Sequence, residues 1–178
     1  VSNTASTSAG GCVYQTGGTI ARCVIAAGKA NTDGGGVYKT AGTLDHVTVS
    51  QCSALSGGSG VYQTTAAGGA VKNSIVYENG ILTGYSASDL VSTAGTVSHS
   101  CARELTDGTS GNTSKSPLFR NAGLLDLRLF SLSPCRGAAE DGTDMGAVPW
   151  EYDPDEPVEI VITVTTDGSC YPVTATYA

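Results

Sequence analysis

Apolar and polar residues alternate over short stretches of this chain, and the stretches recur at a fixed step. The dipeptide Val-Tyr falls at Val13-Tyr14, Val37-Tyr38 and Val61-Tyr62, a step of 24 residues taken twice. A period in the twenties marks a chain that stacks copies of one short unit. Within the unit, an inward Val37 leaves Tyr38 outward; Leu44 in leaves Asp45 out; Val47 and Val49 in leave Thr48 out. Gly35-Gly36 and Gly57-Gly58 sit where the chain must turn. Helical repeats need long runs of good helix formers at a 3.6-residue period, and these segments carry Gly, Thr and β-branched residues instead. Leucine-rich repeats need a dense leucine frame, and the first three units supply only Leu44 and Leu55. The pattern predicts an all-β chain, a right-handed parallel β-helix with coils of about 24 residues.

Stacked coils turn the sequence into columns. Ile20, Leu44, Val71 and Val97 make one apolar column, with steps of 24, 27 and 26 residues. The longer steps are assigned to insertions at Thr65-Ala66-Ala67 and between Thr83 and Ser88. Cys23, Val47, Ser74 and Ser100 make a second inward column, with Cys23 as a buried free thiol. Ile25, Val49, Val76 and Ala102 make a third. These are the small and medium side chains that a narrow interior requires. On the outside, Tyr14, Tyr38 and Tyr62 form an aromatic column, with Thr16, Thr40 and Thr64 as a hydroxyl column below it. The tyrosines admit two readings: a ladder that stabilises the sheet, which is preferred, or a stacking surface for sugars or a partner protein.

The second half adds a more specific string: Asn73-Ser-Ile-Val-Tyr-Glu-Asn79, Ser116-Pro-Leu-Phe119, Leu125-Asp-Leu-Arg-Leu129, Ser133-Pro-Cys-Arg-Gly137 and Asp144-Met-Gly-Ala147. In that order it resembles the closing part of pectate-lyase-like parallel β-helix proteins, in particular the large bacterial surface proteins called choice-of-anchor β-helix proteins. The resemblance covers roughly residues 1–152. It implies that the Asp-x-Gly-Ala segment ends the last coil and that an anchoring or sandwich domain follows. Residues 153–157, Asp153-Pro-Asp-Glu-Pro157, read as a stiff acidic linker; eight of the sixteen acidic residues lie between Glu140 and Glu159. Beyond it, 158–178 reads as two strands, Val158 to Thr165 and Tyr171 to Tyr177, around an Asp167-Gly168 turn. Two strands do not fold alone, so they read as the start of an immunoglobulin-like or PKD-like sandwich, or as a hairpin that docks on the β-helix or on a neighbouring subunit. Val1 aligns with Ile25, which predicts a bare first coil; with Ile160, Ile162, Val164 and Val173 of the extension it forms the candidate pair of assembly ends.

Composition narrows the function. Charged residues are only 14% and the net charge is −7, which argues against a nucleic-acid partner. No run approaches the roughly 20 apolar residues of a membrane helix. Six cysteines and few lysines suit an extracellular or cell-surface chain in an oxidising compartment. No two cysteines have zinc-ligand spacing, and no metal or other cofactor is expected. Cys101, read as outward, and Cys135 make one candidate disulfide; Cys170 could pair with Cys12 or Cys52. Six cysteines allow fifteen pairings. A carbohydrate enzyme would need carboxylates converging on one face. Instead Asp45 stacks beside Ala21 and Lys72, Asp33 beside Gly57, and Glu78 beside Ala27 and Gln51, while Glu104 and Asp107 share a loop without evident partners. His46 and His99 share a turn column with Arg22 and Asn73 but stand two coils, roughly 10 Å, apart, so they read as turn residues bonded to backbone. Asn112-Thr-Ser matches a glycosylation sequon, and with the bacterial source that the resemblance implies it reads as chance. The expected function is structural, a β-helix module of a larger adhesin-like protein that binds copies of itself head to tail. The alternative is a module that binds or degrades glycans.

Overall fold

The computed structural model describes residues 3–5, 8–64 and 69–154. Val1, most of the acidic linker, Cys170 and the expected strands with Ile160, Ile162, Val164 and Val173 lie outside the described residues. What is described is a parallel β-solenoid of about four coils of roughly 24 residues, with almost no helix. A short strand, β1 (Asn3–Ala5), precedes the first coil, which holds β2 (Val13–Ala21), β3 (Val24–Ala26) and β4 (Gly28–Ala30). The second coil repeats them as β5 (Val37–Asp45), β6 (Thr48–Ser50) and β7 (Ser53–Ala54). The third holds β8 (Val61–Gln63), β9 (Ala70–Lys72) and β10 (Ile75–Val76), and the fourth β11 (Leu90–Ser92) and β12 (Thr96–Ser98). Equivalent strands pair in parallel and build three sheets, β1-β4-β7, β3-β6-β10 and a larger one around β2 and β5.

The expected columns form. Ile20 pairs with Leu44, Leu44 with Val71, and Val71 with Val97. Ile25 pairs with Val49 and Val49 with Val76. Together with Val37, Val47 and Val61 they make a dry interior strip. The corners are turned by single left-handed residues, Arg22, His46, Asn73 and His99 at φ between 43° and 51°, then Ala27, Gln51 and Glu78 at φ between 56° and 58°. Such a conformation costs an L-residue roughly 1–2 kcal/mol, so stacking must offset it at every coil. The Val37–Val61 step is 24 residues while the Leu44–Val71 step is 27, which locates the three extra residues between Gln63 and Ala70, as expected.

Alternation also gives the coils an outward column, Val24, Thr48, Ile75 and Cys101, and here the fold adds a layer. Residues 113–150 fold back along the face that carries Thr48, Ile75 and Cys101. They include an antiparallel pair, β13 (Phe119–Asn121) and β14 (Asp126–Leu129). Phe119, Leu127, Leu129, Cys135 and Met145 pack on Ile75 and Cys101 as a second core outside the solenoid. Cys101 points out of the coil, as read, and the closing segment buries it completely. One expectation is corrected: Cys23, expected to be buried in the inward column, is exposed, because among the described residues the first coil's β2 and β3 are stacked on one side only; the outward Val24 beside it is exposed as well. A second expectation fails locally. The register slips by one between Gln15 and Thr16, so Thr16 pairs with Ala41 and the threonine column is broken.

One interior column is polar. Gln15 pairs with Lys39 and Lys39 with Gln63, and all three side chains are buried, Lys39 at 0% exposure. The Lys39 ammonium donates to Gly42 O at 2.8 Å, Ala70 O at 2.9 Å and Gln63 Oε1 at 2.7 Å. Gln15 Nε2 makes the matching bonds one coil below, to Gly18 O at 3.1 Å and Thr43 O at 3.2 Å. Each long side chain therefore ties the bend of its own coil to the strand of the next. Buried backbone carbonyls need donors, and this column supplies them where the strands bend.

Candidate functional site

Two outward regions carry candidate chemistry. The first is the tyrosine column on β2, β5 and β8. Tyr14 and Tyr38 stack with ring centroids 5.1 Å apart, Tyr38 and Tyr62 at 5.6 Å and nearly parallel. Burial first, then Tyr14, Asp33 and Tyr62 as neighbours, raises the Tyr38 hydroxyl pKa above its ordinary value. Both faces of the central ring are used by its neighbours, so no sugar can stack on Tyr38. Tyr14, 58% exposed, keeps one open face. The column ends above Tyr62 at Val91, its pairing partner in the fourth coil.

The second region is the His46 corner, where an open cleft of about 340 Å³ is lined by Arg22, Asp45, His46, Lys72, Asn73, Glu140 and Asp141. Asp45 and Lys72 form the expected ion pair at 3.3 Å, half-buried rather than exposed. Burial would raise the Asp45 pKa, but hydrogen bonds from Asn73, Lys72 and His46 outweigh it and hold the carboxyl below its ordinary value. His46 Nδ1 lies 2.9 Å from Asp45 Oδ1, and Nε2 lies 3.0 Å from Thr143 Oγ1. That order, carboxylate, imidazole, hydroxyl, is the arrangement of a nucleophile with its base. Proton bookkeeping removes the nucleophile. Thr143 Oγ1 donates to Asp141 Oδ1 at 2.6 Å, so its single proton is committed to a carboxylate and only a lone pair faces the ring.

The corner works instead as a clamp on the closing segment. Glu140 N donates to Asn73 Oδ1 at 2.8 Å, Gly146 N to Asn73 O at 2.8 Å, and Ala147 N to Thr48 Oγ1 at 2.9 Å. His46 thus bonds side chains rather than the backbone partners expected for it. The columns identified Asp45 and His46; Asp141 and Thr143 join from a non-repeating segment almost a hundred residues later, which no periodicity could reveal. His99 stays two coils away as expected, and its Nδ1 is buried without a hydrogen-bond partner.

The remaining candidates have structural roles. Glu104 accepts from Asp89 N at 2.8 Å and Leu90 N at 3.1 Å, and Asp107 from Thr113 and Ser114. Both therefore have partners that the sequence concealed. Asp89, fully buried, accepts from Asn79 and is bonded by Arg103. Asn112 is buried and spends its amide on Ser100 N and Val97 O, each at 3.0 Å, so the sequon offers no acceptor. The described cysteines are free thiols, Cys12 and Cys23 among them, with Cys101 and Cys135 in the same buried cluster. Among the described residues no three His, Cys, Asp or Glu side chains gather as metal ligands, and no helix is long and apolar enough to cross a membrane.

The fold therefore defines a parallel β-solenoid with a lateral closing layer. Against known proteins, the chain matches no family model, no curated protein and no solved structure.

Proposed function

We propose that this chain is a structural β-helix module of a larger extracellular or cell-surface, adhesin-like protein, and that its coils stack end to end with those of another copy. The observation that carries the reading is the coil-on-coil pairing: equivalent strands of successive coils pair in parallel, β2 with β5 and β3 with β6. Each coil therefore repeats the backbone hydrogen-bond spacing that a coil of another copy would match. The tyrosine ladder, whose ring faces are mostly used internally, favours a load-bearing role over a binding one. The resemblance to choice-of-anchor proteins points the same way. Light scattering across a concentration series tests the assembly, with electron micrographs alongside. Mass that grows with concentration, together with linear particles, is expected; a monodisperse monomer throughout overturns end-to-end stacking.

The His46 cleft favours a second reading, a module that binds acidic or neutral glycans through Arg22, Lys72 and Asp141. Screening polyuronates and neutral glycans with and without calcium separates the two. Binding that is lost in Lys72→Ala supports the glycan reading, and silence across the panel leaves the structural one.

A further inference from the structure

The interior of the first two coils holds a pair of thiols that neither the repeat nor the proposed assembly explains. Cys12 opens the first coil and Cys52 follows Gln51, the second corner residue of the next. Cys52 is fully buried in the main core, and half-buried Cys12 packs against that same cluster. What brings them together is the backbone of 25–28. Cys12 Sγ lies 3.7 Å from Ala26 O. Cys52 Sγ accepts from Gly28 N at 3.4 Å and lies 3.9 Å from Ile25 O. Gly28 leaves the space: a Cβ there would stand 2.5 Å from the Cys12 sulfur. The two sulfurs therefore approach each other around Gly28.

We propose that Cys12 and Cys52 are an oxidisable pair that closes into a disulfide joining the first coil to the second. Closure proceeds by exchange with a small-molecule disulfide, RSSR. The Cys12 thiolate attacks one sulfur of RSSR, forming a Cys12–S–S–R bond and expelling RS⁻. Cys52 then gives up its proton and attacks the Cys12 sulfur, expelling the second RS⁻. Both cysteines are oxidised, RSSR is reduced to two RSH, and the two thiol protons end on the leaving thiols. The order follows from access and acidity. Cys12 is the more exposed of the two, and its nearness to Cys52, opposed by burial, lowers its pKa to about 7. The same contact, together with burial, pushes Cys52 upward and makes it the resolving thiol. The proposal does not depend on end-to-end assembly.

Trypsin places the six cysteines in six separate peptides: 1–22, 23–29, 40–72, 73–103, 129–136 and 137–178. The full chain is incubated with oxidised glutathione under native conditions, quenched in acid, alkylated and mapped by mass spectrometry. A reducible link between 1–22 and 40–72 is expected. If both peptides are recovered alkylated, or are linked to other cysteines, the proposal is overturned. Two variants test the order. Cys52→Ser should trap glutathione on Cys12, whereas Cys12→Ser should leave Cys52 unmodified. Glutathione on Cys52 instead would overturn the assignment of Cys12 as the attacking thiol. If either variant fails to fold, the map of the unsubstituted chain decides the pairing alone.

Discussion

Lys39 is the residue whose replacement tests the interior most directly. Two substitutions separate its charge from its hydrogen bonds: Lys39→Gln removes the charge and keeps an amide donor, and Lys39→Met removes both. Burial lowers the Lys39 pKa from 10.5 to about 8. At about 1.4 kcal/mol per pH unit this corresponds to a cost of about 3 kcal/mol for holding the ammonium inside. Against that stand three buried acceptors, Gly42 O, Ala70 O and Gln63 Oε1. Each would cost about 1–3 kcal/mol if left without a donor. Methionine gains the first quantity and loses all three acceptors' partners. Glutamine gains the same and keeps donors on the two carbonyls, as Gln15 does one coil below, but it leaves Gln63 Oε1 without a donor and brings an Oε1 of its own that, like that of Gln15, is buried without a partner. Two unpaired acceptors offset the charge removed, so Lys39→Gln should melt close to the unsubstituted protein. Lys39→Met, with three, should lie about 2 kcal/mol below the glutamine variant. For a domain of this size that is a difference of about 4–8 °C in midpoint by thermal circular dichroism. If methionine is as stable as glutamine, the polar column is not holding the bends, and the reasoning fails. The pH dependence gives a second check. A folded pKa below the unfolded one means that the unfolded chain binds more protons between about 8 and 10.5. The unsubstituted protein should therefore gain stability relative to Lys39→Gln as pH rises through that window.

Other perturbations have equally definite outcomes. Asp89→Ala leaves Arg103 and the Asn79 amides without their buried carboxylate, and a loss of roughly 3 kcal/mol in urea unfolding is expected. Tyr38→Ala breaks both stacks of the ladder and Tyr14→Ala only one; by denaturant midpoint the first should cost clearly more, each stack adding about 0.5–1.5 kcal/mol. The Asp45 pKa is depressed in the fold, so its contribution is present above the ordinary value of 3.8 and is lost as pH falls through the folded one. Asp45→Asn should flatten the acid limb of the melting curve; an unchanged limb would remove Asp45 from the clamp. Ala27→Gly at φ 57° relieves a left-handed alanine and should leave stability unchanged or raise it by about 1 kcal/mol, read from the same melts.

The repeated part of the fold was legible because column membership is arithmetic. Once Val-Tyr fixed the step, Ile20, Leu44, Val71 and Val97 had to lie over one another, and the left-handed corner column of Arg22, His46, Asn73 and His99 followed. Lys39 was hidden by the expectation that charge faces water. The alternation itself, Val37 in and Tyr38 out, puts position 39 inside, and the glutamines at the same place in adjacent coils were the clue. The closing segment was legible only as a resemblance. Its contacts, Thr143 on His46 and Met145 against the Ile75 face, join residues that no period relates. Cys23 was misplaced because burial of an inward position needs a coil stacked on both sides, and among the described residues the first coil's β2 and β3 are stacked on one; that the outward Cys101 is covered follows from the non-repeating layer alone.

The corner geometry has a consequence for where this chain can change length. Each left-handed corner residue joins neighbouring strands so closely that an added residue there would rotate every following side chain to the wrong face. Slack is confined to two arcs. Between Gln63 and Ala70 the third coil already carries three more residues than the second, and between Val76 and Leu90 there are two more than between Val49 and Val61. These are the positions at which foreign peptides could be spliced in and displayed at a fixed height along the rod, leaving the stacking beneath undisturbed.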